Sequence, residues 1–226
     1  MVLILTNDDG IEAPGIQALQ NAVSGESIII APHQQLSGCG HQVTTSQPFR
    51  VEKRTPTHYA VEGTPADCTR VALAQLYPKQ IQWVLSGINA GGNMGVDVYI
   101  SGTVAAVREA AFHGIPGIAI SHWRRRPLTI DWDRATRWTK QVLDKLMTMT
   151  LPVGTFWNVN LPHLDPDTPD PEIIFCQPSI NPLPVKYRVE GDFYGYEGQY
   201  NQRERVAGTD VDVCFSGNIA VTQIKL

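Results

Sequence analysis

The sequence predicts an α/β fold, a mostly parallel sheet flanked by helices. Three observations carry this. The chain opens as strand, helix and strand within about thirty residues, the plan of a right-handed crossover unit. Its strand segments, Val2-Leu3-Ile4-Leu5 and Ile28-Ile29-Ile30, are almost continuously apolar, as strands buried on both faces are. The alternation then resumes, with Trp83-Val84-Leu85-Ser86, a helical stretch after Ser101, and Ile118 to Ser121.

Val2 to Thr6 reads as the first strand and Ser27 to Ala31 as the second. Between them Ile16, Leu19 and Val23 fall at helical spacing over Gly15 to Val23, and Gly25 supplies a stop. Pro32 to Thr45 is a loop rich in Gly, Ser, Gln and His. Phe49 to Glu52 and His58 to Glu62 read as the strands of a hairpin around Arg54-Thr55-Pro56-Thr57. Thr64-Pro65-Ala66-Asp67 opens a helix: Thr64 caps, Pro65 suits the first helical position, and Asp67 stands where a capping-box acid belongs. That helix runs to about Leu76, with Cys68, Val71, Ala72 and Leu76 facing inward and Pro78 just beyond.

Trp83 to Ser86 is the next strand, followed by a loop from Gly87 to Ser101 rich in Gly and Asn. Thr103 to His113 is a helix closed by Gly114, and Ile118 to Ser121 another buried strand. Asp131 to Met149 is an amphipathic helix with Trp138, Val142 and Leu146 on one face, and Phe156 to Leu161 a strand. Pro162 to Pro184 is proline-rich, interrupted by a short strand at Ile173 to Cys176. Tyr187 to Arg205 has no clear period and suits a projecting hairpin or arm. Thr209 to Phe215 and Ile219 to Ile224 close the chain as strand-like pieces. The expected organisation is one domain over 1–226, with a core of about 1–165 and an arm and C-terminal segment of about 166–226.

Bulk properties exclude several classes. Hydrophobic content of 42% and charged content of 18% are ordinary for a globular protein. A net charge of -4 leaves no basic footprint for nucleic acid. No apolar run approaches the ~20 residues of a membrane-spanning helix, and the chain opens directly into a strand rather than a signal peptide. Cys39, Cys68, Cys176 and Cys214 form no C-x-x-C pair and read as free thiols of a reducing compartment. The expected location is the cytoplasm, with neither membrane nor nucleic acid as partner.

The chemistry gathers at Asn7-Asp8-Asp9-Gly10, where the first strand ends. Neighbouring strand residues point to opposite faces, so both carboxylates reach one site only if the backbone turns there, which Gly10 permits. Two carboxylates held together repel, and a shared proton or a cation relieves them. Asn-Asp-Asp-Gly is also good turn sequence. Ser86-Gly87-Ile88-Asn89 again follows a buried strand, so Asn89 should emerge at the same sheet edge, although an Asn there also suits a left-handed turn. In open α/β sheets that edge is where ligands bind. Ser101-Gly102-Thr103 precedes a helix, whose exposed N–H groups suit phosphate as well as a plain cap. Ser37 is a further hydroxyl in a loop leaving the sheet, otherwise simply a solvated serine. His41 is a candidate proton donor or substrate contact, though loop histidines are more often neither.

Two carboxylates, an amide oxygen and a hydroxyl make a hard site suited to Mg²⁺ or Mn²⁺ and not to zinc held by Cys and His. The remaining histidines show no metal-ligand spacing, and neither a G-x-x-x-x-G-K-[ST] loop nor a G-x-G-x-x-G after the first strand is present. Trp123-Arg124-Arg125-Arg126 is a local basic cluster, either a solvated rim or an attraction for phosphorylated substrate. Tyr187, Tyr194, Tyr196 and Tyr200 either pack against a partner subunit or stack on a base.

Taken together the segments resemble the SurE family, stationary-phase survival proteins that are metal-dependent 5′-nucleotidases. The resemblance rests on Thr6-Asn7-Asp8-Asp9-Gly10, Ala31-Pro32 followed by Ser37 and Gly40-His41, Gly63-Thr64-Pro65-Ala66-Asp67-Cys68, Ser86-Gly87-Ile88-Asn89, Asn93-Met94-Gly95 and Ser101-Gly102-Thr103-Val104. It runs in order through the first ~125 residues. It implies that Asp8, Asp9, Ser37 and Asn89 bind one divalent cation per subunit, and that Asn93, Ser101, Gly102 and Thr103 line a phosphate pocket. It also implies a Rossmann-like core with a projecting β-hairpin, and a homodimer or homotetramer built partly from C-terminal segments. Gly92 stands where the family often has proline, and the C-terminal part is only weakly similar.

The expected reaction is hydrolysis of a nucleoside 5′-monophosphate by metal-activated water, with Asp8 or Asp9 orienting the water or taking its proton. The helix at Thr103 and the loop N–H groups would stabilise the charge on the phosphoryl oxygens. A carboxylate nucleophile is the other route to the same products. A nucleotide- or phosphate-binding sensor without turnover is the alternative function.

Overall fold

A computed structural model of the chain describes residues 1–125 and 127–226; Arg126 of the basic cluster lies outside the described residues. The first half builds β1 (Val2–Thr6), α1 (Pro14–Ala22), β2 (Ser27–Pro32), the hairpin β3 (Val51–Thr55) and β4 (His58–Val61), α2 (Pro65–Val71), β5 (Ile81–Asn89), α3 (Gly102–Phe112) and β6 (Gly117–His122). The second half adds α4 (Trp132–Leu146), β7 (Thr155–Leu161), β8 (Ile173–Phe175), a separate hairpin β9 (Tyr187–Glu190) and β10 (Phe193–Tyr196), α5 (Asp210–Phe215) and β11 (Ile219–Lys225).

Nine strands form one sheet in the order β3-β4-β2-β1-β5-β6-β7-β11-β8. Pairing from β4 through β7 is parallel, while β3 and β11 run antiparallel to their neighbours β4 and β7. The expected mostly parallel α/β sheet with flanking helices is therefore present. Strand alternation sorts the core into two layers. Leu3 and Leu5 of β1 join Ile16 and Leu19 of α1 and Trp138 and Val142 of α4 on one face. Val2 and Ile4 join Cys68 of α2 and Val104 and Val107 of α3 on the other. Both faces of β1 are covered, which is why its sequence is apolar at every position.

Several boundaries differ from expectation for local reasons. The α2 helix has the expected capping box, with Asp67 N–H donating to Thr64 Oγ1 at 3.2 Å and Thr64 N–H to Asp67 Oδ2 at 3.0 Å. Its last turn, Ala72–Leu76, widens into a π-helical turn. Strand β5 continues past Ser86 to Asn89, where a register irregularity against β6 accommodates the extra residues. Gly95–Tyr99 forms a 3-10 turn inside the expected loop.

One expectation is corrected outright. Thr209 to Phe215 reads as a strand but folds as α5. The alternation of Val211 and Val213 with Asp mimics period two. The Asp210 carboxylate decides otherwise, because it accepts from the N–H groups of Ser179 (2.9 Å), Val211 (2.9 Å) and Gly95 (2.7 Å), tying the start of the helix to two other loops. The β9–β10 hairpin stands apart from the main sheet with Phe193 and Tyr194 exposed. Among the described residues no helix is long and apolar enough to cross a membrane.

Candidate functional site

In this sheet the order turns back between β1 and β5: β2 lies beyond β1, and β6 beyond β5. A crevice opens at the carboxyl ends of two such strands. Thr6 is in register with Ser86, so the residues that follow each strand emerge side by side. Those residues are Asp8 and Asp9 on one side and Asn89 on the other.

The turn after β1 is held by its own side chain. Asn7 Nδ2 donates to the Gly10 carbonyl at 2.8 Å, and Gly10 has φ +99°, a left-handed conformation open to glycine. A Cβ there would sit 3.1 Å from the Gln34 backbone. The loop after β2 closes over this turn, with the Leu36 N–H donating to the Asp8 carbonyl at 2.8 Å. That bond carries Ser37 over the carboxylates. Gln35 Nε2 bridges Ser37 Oγ at 2.8 Å and Asp9 Oδ1 at 3.2 Å. The Ala90 N–H donates to Asp9 Oδ2 at 3.3 Å, joining the β5 end to the same carboxylate.

Asp8, Asp9, Ser37, Asn89, Asn93 and Ser101 line one cleft of about 370 Å³. Asp8 is buried and accepts a hydrogen bond from the Thr103 hydroxyl in the first turn of α3. Gly102 makes that approach possible, since a Cβ on it would lie 3.0 Å from both Asp8 Cβ and Cys39 Sγ. Burial, with a smaller contribution from the Asp9 charge, pushes the Asp8 carboxyl up to about 6, while the Thr103 hydroxyl opposes the rise.

Ser101 caps α3 by accepting from the Val104 N–H at 3.1 Å. Asn93 sits in a buried amide cluster that the sequence reading missed. Its N–H donates to Asn160 Oδ1 at 2.8 Å, its carbonyl accepts from Asn158 Nδ2 (2.9 Å) and Asn160 Nδ2 (3.0 Å), and its own Nδ2 donates to Ser121 Oγ at 2.8 Å. The signal was the Asn-x-Asn of strand Phe156 to Leu161, two amides where a buried strand should be apolar. A second clamp reaches the same loop from the C-terminal segment. Tyr200 donates to Asp97 Oδ2 at 2.7 Å, Arg203 pairs with Asp97, and Arg203 also donates to the Met94 carbonyl at 3.2 Å. A Cβ on Gly92 would meet the Tyr200 hydroxyl at 2.9 Å, which accounts for glycine at that position. Arg124 of the basic cluster lines the cleft, whereas Arg125 turns to Asp165.

His41 is not among the residues lining the cleft. Its Nε2 lies 2.9 Å from Glu109 Oε2, and its ring stacks on Phe112. Glu109 is buried and also meets Arg70 at 3.1 Å and His113 at 3.2 Å, so this histidine belongs to an ionic cluster on the outer side of α3.

The donor set suits a hard cation. Among the described residues no Lys, Arg or His forms an ion pair with Asp8 or Asp9, so the buried charge lacks a compensating side chain. Among the described residues no group of three or more His, Cys, Asp or Glu is placed to hold a metal ion, so a cation here would depend on neutral oxygens as well. The candidate site is two carboxylates with neutral oxygens from Ser37 and Asn89. Oxygen-only sets of this kind suit Mg²⁺ or Mn²⁺.

The chain is similar to known proteins along its whole length. The family model described as "Survival protein SurE" matches residues 3–181. A Nostoc protein carrying the name "Putative 5'-nucleotidase" is 58% identical over the full length of both chains. A Heliobacterium modesticaldum protein named "5'-nucleotidase SurE" is 36% identical over 99% of this chain and 86% of its own length. The crystal structure of the SurE protein from Aquifex aeolicus superposes with a TM-score of 0.88 at 31% identity, covering 100% of this chain and 93% of that one.

Proposed function

Because this chain belongs to the survival protein SurE family, we propose that it is a metal-dependent 5′-nucleotidase, hydrolysing nucleoside 5′-monophosphates to nucleoside and phosphate. The observation that carries this reading is the meeting of Asp8, Asp9, Ser37, Asn89, Asn93 and Ser101 in one cleft at the strand switch. Asp8, Asp9, Ser37 and Asn89 would hold one Mg²⁺ or Mn²⁺. Such a cation, when bound, supplies Lewis-acid polarisation of a phosphoryl oxygen and an acidified water.

The chain's own groups do the rest. Asn93 has a second amide hydrogen left after bonding Ser121, and it serves a phosphoryl oxygen. Ser101 and the first N–H groups of α3, which have no intrahelical acceptors, stabilise the charge that grows there. Arg124 at the cleft wall adds a positive charge. Asp9 is half-buried and held at both oxygens, by Gln35 and Ala90, so its remaining lone pairs are fixed to orient an attacking water. Water is the nucleophile in this reading, because carboxylates that would hold the cation are not free to attack phosphorus.

The test is phosphate release from AMP and GMP in Mg²⁺ or Mn²⁺ against EDTA. Metal-dependent release is expected. Equal rates with and without EDTA would remove the cation from the mechanism, and tight binding without product would favour a sensor. The same reading treats the chain as a single cytoplasmic domain acting as a homodimer or homotetramer. The exposed apolar side chains of the β9–β10 hairpin support the assembly, since Phe193 and Tyr194 are left open to solvent by the described residues.

A further inference from the structure

A second cavity of about 400 Å³ opens beside the cleft. The two share Asp9, Gln35 and Ala90, so a ligand anchored in one extends directly into the other. Trp132, at the start of α4, forms one wall. Its ring lies over the start of α1, where a Cβ on Gly15 would be 3.3 Å from the indole and only 2.0 Å from the Ile88 carbonyl. Ala13 and Pro14 continue that apolar side, and Glu12 stands at the rim paired with Arg54.

We infer that this cavity receives the nucleoside half of the substrate, with the base against Trp132 and the ribose hydroxyls beside Asp9 and Glu12. The inference rests on the nucleotidase reading and names the part of the substrate that reading left open. The groups of the two cavities orient the ligand. Phosphate goes to the cleft side, where the proposed cation ligands stand with Arg124, Asn93 and Ser101. The uncharged half then faces carboxylates that accept from sugar hydroxyls. Bases stack on aromatic faces whatever their sequence.

The other aromatic ring in the cleft is closed off. Tyr200 has Arg203 over its ring at 5.0 Å, Phe215 beside it at 6.3 Å, and its hydroxyl on Asp97. Trp132, among the described residues, has no aromatic or cationic partner.

Calorimetry with adenosine and, separately, inorganic phosphate tests this on the full chain. Adenosine is expected to bind wild type. Trp132→Leu, which keeps bulk but cannot stack, should weaken adenosine by about tenfold relative to phosphate, and Trp132→Phe should recover most of that ratio. In turnover, the kcat/KM preference for AMP over ribose 5-phosphate should fall by a similar factor in the Leu variant. No adenosine binding to wild type, or an unchanged adenosine-to-phosphate ratio in Trp132→Leu, overturns the inference. Adenosine binding without phosphate release from AMP would sink the nucleotidase reading and leave the subsite standing. Release from AMP with an unchanged ratio would do the reverse.

Discussion

The hydroxyl of Thr103, in the first turn of α3, donates to Oδ1 of the buried Asp8 at the end of β1. Ninety-five positions apart in sequence, the two meet because β1 and β5 are neighbours and α3 follows β5. The bond opposes the rise in proton affinity that burial imposes on Asp8. A helix terminus thereby offsets part of what burial does to this carboxylate.

Thr103→Val should remove that donor while keeping shape. A hydrogen bond to a charged group contributes roughly 1.5–3 kcal/mol, so kcat/KM for AMP should fall about tenfold or more. Thr103→Ser should retain most activity. Equal kinetics for the Val variant and wild type would show that the hydroxyl does nothing for turnover.

Asp8→Asn should lose Mn²⁺ affinity, read by calorimetry, together with activity. Loss of groups that merely support metal ligands typically costs about 10–100-fold, so loss of a ligand should exceed about a hundredfold. Full turnover by this variant would exclude Asp8 as a ligand.

Asn160→Ala should destabilise the fold and loosen the phosphate side of the cleft. It strips the acceptor from the buried Asn93 N–H and one donor from its carbonyl. An unsatisfied buried donor costs about 1–3 kcal/mol, measurable as a lower urea midpoint. An unchanged midpoint would mean that water replaces the lost partner.

Gly95→Ala should be harsher than an ordinary loop substitution. Gly95 has φ +55°, and a Cβ would lie 2.4 Å from the Ser179 carbonyl. The left-handed conformation alone costs roughly 1–2 kcal/mol for an L-residue, and the clash adds to it. A wild-type melting curve would contradict the close approach.

Stability should fall between pH 6.5 and pH 4 through His122. Burial pushes its imidazole down to about 4, and the neighbouring His163 adds to the shift, while the Trp123 carbonyl beside Nδ1 opposes it. In that window the unfolded chain binds a proton that the folded chain does not. Stability therefore rises with pH there, is complete above 6.5, and is lost as pH falls through 4. The full effect is on the order of 3 kcal/mol. Urea midpoints of wild type and His122→Gln across this range check it; parallel curves would remove His122 as the cause.

Much of the fold was legible because its signals are local. Apolar runs marked β1, β2 and β5, and Thr64 with Asp67 marked the start of α2, where each bond forms between residues three apart. Asp8, Asp9 and Asn89 were legible as candidates because strand ends are read from the same runs. Local pattern failed at α5, where Val-Asp-Val imitates a strand and the deciding contacts run from Asp210 to Ser179 and Gly95.

The sequence by itself determined the class of fold, the strand ends that carry carboxylate and carboxamide oxygens, and the hard character of any cation they would hold. Only the tertiary structure decided that Asn158 and Asn160 pin Asn93, that Tyr200 and Arg203 lock the same loop, that His41 turns to Glu109, and that Trp132 walls a cavity beside Asp9. The physical reason is range. Backbone propensity and apolar period act over a few residues, whereas these contacts join positions that only the closed sheet brings within hydrogen-bond distance.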